Sequence, residues 1–194
     1  MSRIASVQRV TAETRITLSL NIDGTGVASI STGLGFFDHM LTHIGKHGRF
    51  DLTIAAEGDL HVDEHHLIED VGLAFGRALC EALGEKRGIE RFGVGFVTMD
   101  EALARTVIDL SGRPHLVFLA TFTREFINGF PTEMAREFFQ AVANEAKMNL
   151  HVALLYGTNA HHQLEAVYKS FGRALRDAVR ITGGESIPST KGVL

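Results

Sequence analysis

The chain has 194 residues, of which 45% are hydrophobic and 22% are charged, a balance that is ordinary for a soluble globular protein. Its net charge of −4 excludes the basic field that draws proteins to nucleic acid. No apolar run approaches the ~20 residues that cross a bilayer, and the N-terminus, MSRIASVQRV, lacks the apolar core of a signal peptide. We therefore expect a cytoplasmic protein that binds neither nucleic acid nor membranes.

Alternating apolar and polar residues predict three strands at the start of the chain, in IASVQRV, TRITLSLNI and GVASI. A helical stripe follows in GFFDHMLTHIGKHG, which Gly48 closes, and RFDLTIAA predicts a fourth strand. The segment from Glu64 to Leu83 predicts a longer helix with one apolar face, and Gly84 stops it. The order is strand-strand-strand-helix-strand-helix.

The rest of the chain repeats this order. GVGFVTM, RTVIDLS and HLVFLAT predict strands, PTEMAREFFQAVANEA predicts a helix with Pro131 at its start, NLHVALL predicts a strand, and a last helix runs from His161 to Ile181. We interpret the chain as one domain of two duplicated halves, about 1–88 and 89–182, with a tail at 183–194. The expected fold class is α+β, in which a βββαβα unit is used twice and each sheet packs on a pair of helices.

The same motif opens the last helix of both halves. HHLIEDVGLAFGRAL begins at His65 and HHQLEAVYKSFGRAL begins at His161, so each copy places a histidine pair ahead of a glutamate, Glu69 or Glu165. Residues three and four apart share a helix face, but adjacent residues point about 100° apart. One histidine pair therefore reaches a single ion only with difficulty. The pattern predicts two metal ions with ligands from both cassettes, either within one chain or across a subunit contact.

A single HHxxE motif is more often a surface or capping group than a metal site, but its recurrence at matching helices favours the metal site. His39, His43 and His47 recur on one face of the earlier helix, so at least one is a further candidate ligand. In the second half, Glu137 lies at a comparable place beside Phe-Phe. Histidine and carboxylate without thiolate favour manganese, iron, zinc or nickel over calcium.

Each of the remaining polar candidates has both a functional and a purely structural interpretation. Asp59, His61 and Asp63 precede the first cassette, where they either orient the ligands or are simply loop residues. A second set offers cations, a hydroxyl and backbone amides that suit a phosphate or carboxylate group; each member alone is more often a solvated surface group. These anion-binding candidates are Arg91, Arg113, Lys169, Ser189 and Lys191.

With these residues laid out, the sequence resembles the imidazoleglycerol-phosphate dehydratase family of histidine biosynthesis over nearly its full length. The matching stretches are RVTAETRI with Glu13, TGLGFFDHML, KHGRFDL, DEHHLIED, ERFG, DLSGRPHL, HVALLYGTNAHHQLEA, FGRAL and STKGVL. The resemblance implies a duplicated α+β unit of the ribosomal protein S5 domain 2-like class. It also implies an octahedral homo-oligomer of twenty-four chains with two manganese ions per site at subunit contacts.

The resemblance further implies an activity and the residues that serve it. The activity converts D-erythro-imidazole glycerol phosphate to imidazole acetol phosphate and water. The implied metal ligands are His39, His65, His66, Glu69, Glu137, His161, His162 and Glu165, with Glu137 standing where the family often has a histidine. The implied substrate contacts are Glu13, His47, Arg91, Arg113, Lys169, Ser189 and Lys191.

The expected chemistry removes a proton from a carbon that has no adjacent carbonyl group. We expect the cations to act as Lewis acids on the imidazole ring of the substrate. We expect Glu13 to be the acid/base group, with His47 as an alternative or helper, and the basic set to hold the phosphate. Two other classes stay open: a dinuclear metallohydrolase acting on a small phosphorylated substrate, and a non-catalytic metal-binding or cage-forming protein.

Overall fold

The first half of the chain forms one mixed sheet and two helices. The computed structural model describes residues 3–194. Its first elements are β1 (Ile4–Val10), β2 (Thr14–Asn21), β3 (Ala28–Ser31), α1 (Gly35–Gly48), β4 (Asp51–Gly58) and α2 (His65–Leu83). The strand order is β1-β2-β4-β3, with β3 parallel to β4 and the other neighbours antiparallel. Helix α1 ends at Gly48 as predicted, and Arg49 caps it in the left-handed conformation at φ 56°.

The second half repeats the same topology. Its elements are β5 (Phe92–Met99), β6 (Ala102–Asp109), β7 (His115–Leu119), β8 (Phe126–Ile127), β9 (Phe130–Pro131), α3 (Met134–Ala146), β10 (Asn149–Tyr156) and α4 (Ala160–Val179). The sheet order β5-β6-β10-β7 matches that of the first half, with β7 parallel to β10 and the other neighbours antiparallel. This match confirms the predicted duplication of a βββαβα unit.

Two predicted helix ends in the second half are wrong. Pro131 lies in β9, where it pairs with Phe126 in a short hairpin that has no counterpart among residues 3–88, and α3 begins only at Met134. Helix α4 ends at Val179 rather than at Ile181, because Ile181 extends to form a β-bridge with Ile89.

The helices pair across the two halves. Helices α1 and α2 lie on the first sheet, α3 and α4 lie on the second, and the two helix layers meet as α1 against α4 and α2 against α3. Glycines allow close approach: a Cβ atom on Gly76 of α2 would lie 2.7 Å from the main-chain oxygen of Val142 on α3, and one on Gly172 of α4 would lie 3.0 Å from that of Ile44 on α1. The last helix of each half is thereby pressed against the first helix of the other.

The outward faces of the two sheets differ in polarity. On the first sheet, the outward residues at the centre of β1 and β2 are polar, as at Ser6, Gln8 and Thr17. On the second sheet, Phe92, Val94 and Phe96 alternate along β5 and are 55%, 50% and 57% exposed. We call this row the β5 apolar stripe. Among the described residues, no helix is long and apolar enough to cross a membrane.

Candidate metal and substrate site

Basic side chains surround Glu165 where α1 meets α4. Oε2 of Glu165 lies 3.4 Å from Nε2 of His39 and 3.1 Å from Nε2 of His161. Its other oxygen, Oε1, lies 3.4 Å from Nε2 of His43 and contacts Nζ of Lys169. Spacing of four residues puts the ligands of each helix on one face. The second cassette, on α4, therefore faces the histidines of α1 in the first half.

The electrostatics of this group suit a cation. Burial alone would raise the pKa of the Glu165 carboxyl, but Lys169, His43 and His161 outweigh it and hold the pKa at about 2. Burial lowers the pKa of His43 to about 4, against the attraction of Glu165. Atoms of His39, His43 and Glu165 lie within 4.8 Å of one another. A carboxylate beside imidazole nitrogens that include a neutral one is a donor set that fits a divalent transition-metal ion.

The first cassette lies where α2 meets α3. His65 and Glu137 line the same open cavity of about 530 Å³, and Glu69 follows His65 by one turn on the same face of α2. Glu137 is paired with Arg136, whose Nη1 lies 2.8 Å from Oε1 of Glu137. Glu137 is therefore the acidic residue that α3 brings to the cavity beside His65.

The second histidine of each cassette faces a carboxylate instead of its own cassette glutamate. Nδ1 of His66 lies 3.0 Å from Oδ2 of Asp59, and Nδ1 of His162 lies 2.7 Å from Oε2 of Glu101. These hydrogen bonds raise the pKa of both histidines. Sequence reasoning identified Asp59 as a candidate orienting residue but missed Glu101. Comparison of the two halves could have identified Glu101, since Glu101 lies in the β5–β6 turn and Glu13 lies in the matching β1–β2 turn.

The two candidate acid/base residues lie in different places. Oε2 of Glu13 lies 3.8 Å from Nδ1 of His66, and the Glu13 side chain is 53% exposed. Glu13, Asp59 and His66 also bring ligand atoms within 4.8 Å of one another. His47 is half-buried on α1, and burial, together with Lys169 and Arg173, lowers its pKa. Glu13 thus accompanies the first cassette, whereas His47 accompanies the second.

The anion-binding candidates form two groups. Nη1 of Arg91 donates to the main-chain oxygen of Pro188 at 2.7 Å, and Leu194 packs against Gly112, so Arg91, Arg113 and the tail share one end of the second sheet. The main-chain nitrogen of Arg91 donates to the oxygen of Ala178 near the end of α4. His161, at the other end of α4, is nearly five turns or ~25 Å away. Lys169 lies with Glu165, so the structure does not bring this set together within one chain.

Similarity to known proteins extends over nearly the whole chain. Residues 32–175 match the family model of imidazoleglycerol-phosphate dehydratase. The chain is 55% identical over 194 residues to the imidazoleglycerol-phosphate dehydratase of Hydrogenovibrio crunogenus, covering 99% of this chain and 100% of that one. It is also 55% identical over 195 residues to that of Acetivibrio thermocellus, covering 100% of both.

Two solved structures share the fold. The crystal structure of imidazoleglycerol-phosphate dehydratase from Staphylococcus aureus matches with a TM-score of 0.83 and 39% identity, covering 92% of this chain and 99% of that one. The protein from Pyrococcus furiosus matches with a TM-score of 0.83 and 36% identity, covering 97% of this chain and 100% of that one. Sequence and fold therefore agree that this chain belongs to the imidazoleglycerol-phosphate dehydratase family.

Proposed function

We propose that this chain carries out its family's dehydration with two divalent cations, manganese by preference, at sites that neighbouring copies of the chain complete. The reaction converts D-erythro-imidazole glycerol phosphate to imidazole acetol phosphate and water in histidine biosynthesis. The observation that carries the proposal is the Glu165 carboxylate, whose Oε2 faces Nε2 of both His39 and His161 within 3.4 Å. Three donors that converge on one point from two helices support a cation there.

The ligands divide into two similar sets. His39, His161 and Glu165 hold one cation where α1 meets α4, and His65, Glu69 and Glu137 hold the other where α2 meets α3. His66 and His162 are turned toward Asp59 and Glu101, and each supplies its Nε2 to a cation that another chain holds. Imidazole and carboxylate donors without thiolate suit manganese well. A glutamate at position 137 keeps the second set complete because carboxylate oxygen also ligates manganese.

Self-association follows from the divided site. Arg91, Arg113, Ser189 and Lys191 lie ~25 Å from the second cassette along α4, so they bind the phosphate of a substrate held by another copy, together with the Lys169 of that copy. The β5 apolar stripe supports the same conclusion, since a monomer would leave these side chains in water. The proposed assembly is an octahedral homo-oligomer of twenty-four chains.

The protein's own residues orient the substrate and move its protons. The bound cations supply Lewis acidity to the imidazole ring. Glu13 exchanges a proton through Oε2, which is exposed beside His66. His47, whose lowered pKa leaves it neutral at pH 7, is the alternative or helping base. The cations of Arg91, Arg113, Lys169 and Lys191, with the hydroxyl of Ser189, hold the phosphate and fix its distance from the reacting carbon.

The test measures imidazole acetol phosphate formed by protein that has been treated with a chelator and then supplied with Mn²⁺, Zn²⁺ or no metal. We expect turnover only with an added cation, fastest with Mn²⁺, and two manganese ions per chain by elemental analysis. Full activity without added metal contradicts the proposal. Release of free phosphate from the substrate identifies a dinuclear metallohydrolase instead. Unaltered substrate affinity in Lys191→Ala favours a non-catalytic metal-binding or cage-forming protein.

A further inference from the structure

We infer that Glu101 is a positioning residue that holds the ring of His162 in the tautomer and orientation needed to bind a cation. Asp59 does the same for His66. This inference rests on the proposed function, because it takes both histidines as metal ligands. It adds a residue to which sequence reasoning assigned no role, and it gives the two carboxylates of the β1–β2 and β5–β6 turns different tasks.

The Glu101 carboxylate is held on both of its oxygens. Oε1 accepts hydrogen bonds from the main-chain nitrogens of Thr158 at 2.9 Å and Asn159 at 2.7 Å. Oε2 is left for Nδ1 of His162 at 2.7 Å. Asn159 is the N-cap of α4, and its side chain accepts from the nitrogen of His161 at 2.9 Å. The β5–β6 turn, the helix cap and the cassette therefore form one hydrogen-bonded unit.

This contact selects one form of the imidazole ring. An ionised carboxylate can only accept, so the contact favours the form of the His162 ring with a proton on Nδ1. In the neutral ring, Nε2 then carries the lone pair that ligates a metal. The nearest acidic atom to Nε2 is Oδ2 of Asp100 at 3.7 Å, which is beyond hydrogen-bonding distance. Nε2 is thus left free to face a cation held by another copy of the chain.

The duplicated half reaches the same arrangement from a different loop. His66 uses Nδ1 on Asp59, at 3.0 and 3.2 Å, and Asp59 follows β4 rather than lying in a strand–strand turn. Glu13, which occupies the turn that matches Glu101, stays 3.8 Å from the same nitrogen and is 53% exposed. Because Asp59 orients His66, Glu13 is released to meet the substrate. Glu101 has no such replacement and keeps the positioning task.

The isosteric variant Glu101→Gln tests whether Glu101 selects the form of the His162 ring with a proton on Nδ1. The main-chain nitrogens of Thr158 and Asn159 hold the acceptor oxygen, so the amide NH₂ of the variant would face Nδ1 of His162. An NH₂ group can only donate, so the proton of the neutral ring moves to Nε2 and blocks metal binding. Asp59→Ala is the corresponding change beside His66, because both oxygens of Asp59 face Nδ1 of His66 and an asparagine could still turn its oxygen toward that nitrogen. Glu81→Gln is the control, because Glu81 is also in a surface pair, with Arg77 at 3.0 Å on α2, away from both cassettes.

The experiment titrates intact, metal-free protein with Mn²⁺ alone by calorimetry and reads two dissociation constants per chain. We expect Glu101→Gln to weaken one of the two ions by about 10- to 100-fold, the usual cost of losing such a partner, and to leave the other unchanged. Asp59→Ala should weaken binding of the other ion, and Glu81→Gln should weaken binding of neither.

Each further outcome counts against one specific claim. The positioning role alone is overturned if the wild-type protein binds two ions and Glu101→Gln has the same two dissociation constants as Glu81→Gln. Equal weakening of both ions in Glu101→Gln, with a lower melting temperature, means that the residue is structural and also overturns the role. Fewer than two ions in the wild-type protein overturns the proposed function and this inference with it.

Discussion

Glu165 and Lys169 form an ion pair along one turn of α4, inside the ring of imidazoles that the two halves build together. The pair leaves Oε2 of Glu165 to His39 and His161 while Lys169 occupies Oε1. A buried carboxylate that stays ionised without metal is thus prepared for a cation, and the lysine that keeps it ionised is also a proposed phosphate ligand. The proposed metal site and the proposed substrate site therefore meet at these two residues.

Removing Lys169 should shift the acid stability of the metal-free protein. A carboxyl with a lowered folded-state pKa stabilises the fold above its unfolded pKa, and this stabilisation is lost as the pH falls through the folded value. For Glu165 the loss runs from 4.5 down to about 2. In Lys169→Met the folded pKa rises toward 4.5, so the window narrows, and urea unfolding at a series of pH values should show a smaller loss of stability below pH 4.5 that ends at a higher pH. Lys169→Arg keeps the charge, so its free energy of unfolding should depend on pH as in the wild-type protein. If the curves of Lys169→Met and the wild-type protein superimpose, Lys169 is not the group that lowers the pKa of Glu165.

Glu137 decides whether the second metal set is complete. We expect Glu137→Ala to bind one manganese ion per chain instead of two and to lose most of its activity, because the α2–α3 set keeps only His65 and Glu69. Glu137→His should retain both ions, since imidazole also ligates manganese. Elemental analysis after gel filtration measures both. Arg136→Ala is the control, as it removes only the ion-pair partner of Glu137; two ions in Glu137→Ala would remove Glu137 from the ligand set.

The sequence predicted the duplicated fold well because periodicity within a segment is a local property. His161 and Glu165 share a face of α4 through their spacing alone. Which helix faces them depends instead on long-range packing, so the meeting of α4 with α1 was not predictable from periodicity. The short β8–β9 hairpin was also missed, because it is an insertion without a duplicate. Glu101 was missed for a related reason, since its role depends on a loop far away in sequence.

Glycines within the helices and strands are related to this long-range packing. A lone glycine weakens a strand pattern when the sequence is read by itself. In the fold, a side chain on Gly95 would collide with the main chain of Ser170 on α4, and one on Gly76 would collide with the main chain of Val142 on α3. Close packing against a helix therefore explains these two glycines, which in the sequence alone only weaken the predicted strand and helix.

Gly95→Ala should destabilise the chain by ~1–3 kcal/mol, the range for overpacking. A Cβ atom there would lie 2.1 Å from a main-chain oxygen of α4, so α4 must shift against α1, and His161 and Glu165 move relative to His39 with it. We expect weaker manganese binding together with lower stability in urea. Gly35→Ala is the matched control, because a Cβ atom at Gly35 meets nothing within 4 Å; it should stay within ~0.5 kcal/mol of wild type. Equal stability of the two variants would contradict the packing argument.

Phe96→Asp should break the proposed assembly at the β5 apolar stripe. Phe96 is 57% exposed in the single chain, and an unpaired carboxylate forced into an apolar contact is costly. Light scattering should therefore give a smaller particle than the wild-type protein, while circular dichroism stays unchanged because the side chain faces away from the core. Gln8→Asp places the same charge on the outward face of the first sheet, and we expect it to keep the wild-type mass.

The metal content of the smaller particle then separates two explanations. If other copies supply His66 and His162 as ligands, dissociated Phe96→Asp should bind manganese more weakly and lose turnover, and raising its concentration should restore both by mass action. Full activity in a dissociated particle would mean that one chain completes its own site. Because Arg91 and the tail lie nearly five helical turns from His161, that result would require a rearrangement much larger than a side-chain movement.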